Sequence, residues 1–162
     1  PASAAAPVPT PIGVGPQFHP TAVTAAVARA RPIGRLRCNG IVRLERAHVE
    51  LFARGRVVII PSGIGVARAH TCTYGVRTMT PTGVLEFDGS RRLTLGDFFA
   101  VWGRRLARDR LLGFSGRVRA YIAAKRWHGS VRAIPLHRHE EIVLEIGPYV
   151  PPHARFLFGP GP

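Results

Sequence analysis

The sequence predicts an α+β fold, a β-rich single domain with one main helix, and three observations carry that prediction. Residues 83–106, GVLEFDGSRRLTLGDFFAVWGRRL, run from strand through turn into amphipathic helix without a break. The stretches AHVELFARGRVVII and EIVLEI are rich in β-branched and aromatic residues and are bounded by Gly and Pro. No run reaches the roughly 18 apolar residues of a membrane span, whereas 162 residues with 46% hydrophobic content can bury one good core. The expected organisation is an extended arm over residues 1–34, a β-rich domain over 35–150 and a Pro/Gly tail over 151–162.

The arm, PASAAAPVPTPIGVGPQFHPTAVTAAVARARPIG, carries Pro1, Pro7, Pro9, Pro11, Pro16 and Pro20, which exclude regular helix and favour an extended, polyproline-like course. Only Thr21 to Arg31 has the composition for a short helix. Ordering such a chain costs on the order of 1 to 2 kcal/mol per residue in backbone entropy, so an ordered arm needs a surface to lie on. That surface is its own domain or a neighbouring subunit. Because the chain opens on Pro1 and not on Met, a processed, truncated or mature end is expected, compatible with a removed signal peptide.

Ala47 to Ile60 is expected to form a hairpin about Arg54-Gly55, with Val49, Leu51 and Ala53 facing the core and His48, Glu50 and Phe52 alternating with them. Gly65 to Ala69 and Thr71 to Val76 are weaker strand candidates. Val84 to Phe87 is the next strand, and Asp88-Gly89 its turn. Thr94 stands three residues before Asp97 as a capping box, with Leu93 and Phe98 at the staple positions. The apolar stripe Leu95, Phe98, Phe99, Trp102 and Leu106 predicts a helix over 94–108.

Beyond it, Asp109 to Gly116 reads as a loop and Arg117 to Ala123 as a half-buried strand with a basic outer face. Lys125 to Gly129 reads as a turn and Glu141 to Ile146 as a last strand. Phe156-Leu157-Phe158 is an apolar anchor in the tail.

The phrases Leu93-Thr94-Leu95-Gly96-Asp97-Phe98-Phe99 and Leu136-His137-Arg138-His139-Glu140-Glu141-Ile142-Val143 resemble the helix start and final strand of the β-grasp, or ubiquitin-like, fold, over residues 83–147. The resemblance implies a β-grasp-like sheet. It does not bring the sulfur carriers' chemistry, which needs a flexible diglycine end, since this chain ends Gly159-Pro160-Gly161-Pro162. The same phrases are similar to a group of uncharacterised exported bacterial and archaeal proteins with tLGxFFxxWG and IPLxxHxxIVlxiG. That group has a His-x-His and a His-x-Glu where this chain has Arg77-Thr78-Met79 and Glu86-Phe87-Asp88. The resemblance implies that any such metal site is lost here and that the chain serves as a scaffold.

Twenty-three basic residues, all arginine except Lys125, stand against nine acids, a formal net charge of +14. Such a balance suits polyanions, nucleic acid or acidic polysaccharide, and Arg117, Arg119, Arg126, Arg132 and Arg138 are the candidate basic face. Arginine scattered along the whole chain is equally read as a compositional bias. Cys38 and Cys72 have no CxxC partner; joined, they close a loop of roughly 34 residues worth about 3 to 4 kcal/mol in the chain-entropy model. A disulfide would place the protein outside the cell or at its surface; two separate buried thiols are the alternative.

Catalytic constellations are scarce. The serines Ser3, Ser62, Ser90, Ser115 and Ser130 lie in loops or tails without a nucleophile elbow. Neither Pro61-Ser-Gly-Ile-Gly65 nor Gly113-Phe-Ser-Gly116 has the Lys-Ser/Thr end of a phosphate loop. His137-x-His139 is the best local ligand pair but reads first as a solvated turn, so no metal, cofactor or reaction is expected. Trp127 reads as a clamp over a hairpin or a ligand platform. The leading expectation is an exported structural or assembly subunit whose arm packs on neighbouring copies in an oligomer or filament. The alternative is a polyanion-binding module.

Overall fold

The structure, a computed structural model, describes residues 16–21, 24–68 and 71–162. Chain order is β1 (Gln17–Phe18), α1 (Ala25–Ala28), β2 (Leu44–Ala53), β3 (Arg56–Val58), β4 (Val76–Arg77), β5 (Val84–Asp88) and α2 (Leu95–Trp102). There follow β6 (Leu106–Ala107), β7 (Arg110–Leu111), β8 (Phe114–Ser115), β9 (Arg119–Ile122), β10 (Lys125–Trp127), a 3₁₀ turn at Val131–Ala133, and β11 (Glu141–Ile146).

The main sheet runs β1-β3-β2-β11-β9-β10, with β5 also paired to β2 and β4 to β5. Its centre is the parallel pair of β2 and β11, in the register Glu141 to His48 and Ile146 to Ala53. The period-2 pattern of these two strands sends Val49, Leu51, Ala53, Ile142, Leu144 and Ile146 to the face that packs on Phe98, Phe99 and Trp102 of α2. The opposite face carries His48, Glu50 and Phe52 from β2 beside Glu141, Val143 and Glu145 from β11. That face is also buried, partly under a second apolar cluster of Phe52, Val57, Tyr121, Val143 and Val150.

Local sequence explains where the elements begin and stop. The Thr94 side chain accepts from the Asp97 backbone while the Asp97 carboxylate accepts from the Thr94 backbone, closing the expected capping box. The helix is shorter than the expected 94–108. Gly103 takes a left-handed φ of 72° and ends it, and a Cβ there would sit 2.2 Å from Thr24 Cγ2. Leu106 therefore joins β6 of a small β6-β7-β8 sheet, which replaces the loop expected over Asp109 to Gly116. Lys125 to Trp127 is a strand and not a turn. The turn is Ala123-Ala124, both at positive φ, a conformation that alanine does not advertise. Of the two weak strand candidates only an isolated bridge between Val66 and Thr73 and the short β4 form.

Cys38 and Cys72 are joined in a disulfide. Among the described residues no helix is long and apolar enough to cross a membrane. The described part of the arm lies on its own domain. Gln17 and Phe18 extend the sheet beside Val57 and Val58, Trp102 Nε1 donates to the Thr21 carbonyl at 2.9 Å, and Val27 is fully buried. The short helix expected within Thr21 to Arg31 is the four-residue α1, capped by Thr24. Residues 1–15 of the arm lie outside the described residues.

Candidate metal centre

The register of the central pair places His48 directly beside Glu141, and the pleat places Glu50 on the same face. Nitrogen and oxygen atoms of His48, Glu50 and Glu141 lie within 4.8 Å of one another, all three residues being buried. His48 Nδ1 is 2.7 Å from Glu141 Oε2, and His48 Nε2 is 2.8 Å from the carbonyl of Thr82. A carbonyl only accepts, so Nε2 carries the proton and donates to Thr82, which leaves the Nδ1 lone pair facing the carboxylates. An imidazole anchored through one N–H to a backbone carbonyl, with its other nitrogen bare, is the arrangement found in metal-ligating histidines.

The electrostatics of the pocket follow from its dryness. Burial lowers the His48 pKa, an effect only partly opposed by the nearby Glu50 charge and the Thr82 carbonyl. Burial together with the Glu50 carboxylate beside it pushes Glu141 up to about 10. The proton between this pair therefore rests on Glu141, which donates it to Nδ1. Glu141 Oε1 has no hydrogen-bond partner although its side chain is only 1% exposed. A buried carboxyl oxygen without a partner is costly, and a cation is the partner that two carboxylates and a bare imidazole nitrogen accommodate best.

The tail closes the site. His153 Nδ1 lies 2.7 Å from Glu50 Oε2, and the Phe156 ring stacks on His48 at 4.0 Å between centroids. Arg46 anchors the chain end through the carbonyls of Gly159, Pro160 and Pro162. On the other side His48 and Glu50 open into a cavity of about 460 Å³, otherwise lined largely by Leu51, Phe52, Val57, Ile59 and Pro81, with Gln17 and His19 at its arm side. Gly83, at φ 80°, passes so close that a Cβ would meet the Val49 carbonyl at 2.4 Å and His48 Nε2 at 3.0 Å. The glycine thus lets the loop carrying Thr82 seat against the imidazole.

The positions singled out from sequence lie elsewhere. His137 and His139 are exposed outside the cluster, and the His139 ring stacks on Phe158 at 4.5 Å. Arg77 and Glu86 form an ion pair at 3.0 Å, and Asp88 spends its carboxylate on Ser90 and the Arg43 backbone. Of the five arginines of the candidate basic face, Arg119 pairs with Glu145 at 3.2 Å, Arg132 donates to the carbonyls of Gly96 and Leu106, and Arg138 reaches the Gly161 carbonyl. Arg117 and Arg126 both border a second cavity. Trp127 is partly buried against the core and donates from Nε1 to the Ser130 carbonyl.

No protein family, curated protein or solved structure matches this chain. Reasoning from sequence set His48 and Glu50 in the row that alternates with the core-facing residues and did not bring them together with Glu141. The available clue was ionisable residues interleaved in strands whose remaining residues are apolar, His48 and Glu50 in AHVELFA and Glu141 in EIVLEI.

Proposed function

We propose that the protein is a divalent-cation-binding domain that holds a first-row transition metal, Zn²⁺ by preference, through His48 Nδ1 and the carboxylates of Glu50 and Glu141. The observation that carries this reading is the buried Glu141 Oε1, without a partner and beside a histidine whose tautomer is fixed for ligation. Mixed imidazole and carboxylate donors suit Zn²⁺ and its neighbours better than Ca²⁺ or Mg²⁺, which favour all-oxygen sites. His153, hydrogen-bonded to Glu50, supplies a further imidazole to the same network. The adjoining cavity offers room for an apolar ligand next to the ion.

An extracellular or cell-surface setting belongs to the same reading. The Cys38–Cys72 disulfide supports it, because such bonds persist in oxidising compartments. A β-grasp relationship is supported by the chain order of a hairpin, a helix, a second hairpin and a last strand lying parallel to the first between them. In that arrangement the opening hairpin would be β2–β3, upstream of residues 83–147. Assembly through the arm is a role left to residues 1–15, outside the described residues, since Gln17, Phe18 and Val27 engage their own domain.

The test is titration of the chelator-stripped full chain with Co²⁺ and Zn²⁺. One equivalent of Co²⁺ should give visible d–d absorption, and saturating Zn²⁺ at 100-fold its Kd should stabilise by about 2.7 kcal/mol. Glu141→Gln and His48→Gln should abolish both responses, while Glu86→Gln leaves them intact. A wild-type protein that shows neither saturable absorption nor stabilisation would overturn the proposal.

A further inference from the structure

A second concave site is lined in part by β10, at the other end of the sheet order from β1 and β3, and shares no lining residue with the cavity beside the histidine–carboxylate cluster. Its volume is about 480 Å³, and Arg108, Arg117, Arg126, Trp127 and His128 line it, with Val118, Gly129, Ser130 and Val131 completing the wall. No acidic residue lines it. Asp109, next in sequence to Arg108, is exposed and is not part of the wall.

The chain has few acids, and elsewhere it spends them on arginine. Arg35 pairs with Asp97, Arg43 with Glu45, Arg77 with Glu86 and Arg119 with Glu145. Other guanidiniums are used on carbonyls: Arg54 on Ser115, Arg132 on Gly96 and Leu106. Among the described residues the side chains of Arg108, Arg117 and Arg126 make neither an ion pair nor a hydrogen bond. Arg126 lies over the Tyr121 ring, with its Cζ 5.6 Å from the centroid, on the sheet face opposite Trp127, so it borders the cavity only from the strand edge.

Arg108 and Arg117 bring two like charges to one concavity, and its low-dielectric walls focus their field and raise the local concentration of anions. The fork of each guanidinium matches the oxygens of a sulfate or phosphate group in bidentate fashion. The frame that carries them is fixed. β9 and β10 form a hairpin, the Arg108 carbonyl accepts from the Val118 backbone, and Trp127 is locked by its bond to Ser130 with Gly129 against its indole. We infer that this cavity is a binding site for an anion bearing two or more tetrahedral oxyanion groups, sulfate or phosphate esters, held by Arg108 and Arg117 beside the edge of Trp127.

The experiment is isothermal titration of the full chain with two probes, inorganic pyrophosphate and a trisulfated heparin disaccharide, at two salt concentrations. At least one probe should bind with one-to-one stoichiometry and weaken as salt rises. Arg108→Ala combined with Arg117→Ala should weaken that binding at least tenfold. Arg29→Ala combined with Arg155→Ala, which removes the same charge from exposed positions elsewhere, should change it less than twofold. Tighter binding of the disaccharide identifies a sulfated saccharide as the ligand source, and tighter binding of pyrophosphate a phosphate source. All four substituted arginines are exposed, so folding is preserved and checked by circular dichroism. Failure of both probes to bind, or equal losses in the two double variants, would overturn the inference.

Discussion

Phe156 lies flat on His48, with ring planes 10° apart. This contact ties the C-terminal tail to the proposed ligand and covers the imidazole whose burial lowers the His48 pKa. Phe156→Ala should cost about 1 to 3 kcal/mol, combining lost burial with the stacking contribution. Urea denaturation measures the loss. In the same variant the His48 pKa should move back up toward its ordinary value, read by proton NMR titration. Unchanged stability together with an unchanged titration would show that the tail does not seal the site.

Glu141 governs the alkaline side of stability. Its pKa is raised from 4.5 to about 10, so the folded protein holds a proton that the unfolded chain has already released. The favourable contribution is fully present below about pH 4.5 and is lost as pH rises from there toward 10. Replacement by the neutral isostere, Glu141→Gln, should flatten that decline when melting temperature is followed across the window. Metal binding must displace the same proton, so Zn²⁺ affinity should rise with pH, with protons released in calorimetry in two buffers of different ionisation enthalpy.

Asp88 acts in the opposite direction. Burial would raise its pKa, but hydrogen bonds donated by Ser90 Oγ and by the backbone of Ser90, Arg43 and Val42 outweigh burial and hold it at about 2. A depressed carboxyl contributes stability that is present above its unfolded value and is lost as pH falls through the folded one, here between about 4 and about 2. Asp88→Asn should destabilise by about 2 kcal/mol at neutral pH, in line with hydrogen bonds to a charged acceptor. The penalty should shrink below pH 3. An acid-unfolding curve identical to that of the wild type would refute the assignment.

What was legible in the sequence was what local chemistry controls. Thr94 and Asp97 announce the helix start, Arg54-Gly55 the hairpin turn, and both turn residues do take positive φ. Leu106 continues the apolar stripe, yet Gly103 had already ended the helix; its left-handed geometry overrides a periodicity that extends past it. Ala123-Ala124 carries no turn signature, so the neighbouring strand was hidden. The histidine–carboxylate cluster was illegible for a different reason. Alternation along β2 marks His48 and Glu50 as the polar row, and the tail, about 100 residues away in sequence, together with the Thr82–Gly83 loop, turns that row into an interior. No pattern within a strand encodes what covers its second face.

The disulfide supplies the last prediction, because it anchors a stretch with little secondary structure. Between Cys38 and Cys72 lie the β2–β3 hairpin and the irregular segment around Pro61 to Arg68, and Cys38 itself packs against the main core. Closing a loop of 34 residues restricts the unfolded chain and should stabilise by about 3 to 4 kcal/mol in the chain-entropy model. The double variant Cys38→Ser with Cys72→Ser should lose that amount in urea denaturation, and reductant should produce the same shift in the wild type alone. The β2–β11 pair lies outside the cross-link on one side, since Glu141 to Ile146 follow it in sequence. The variant should therefore retain the metal stoichiometry at low denaturant, and loss of metal binding together with the loss of stability would show that the cross-link also sets the site geometry.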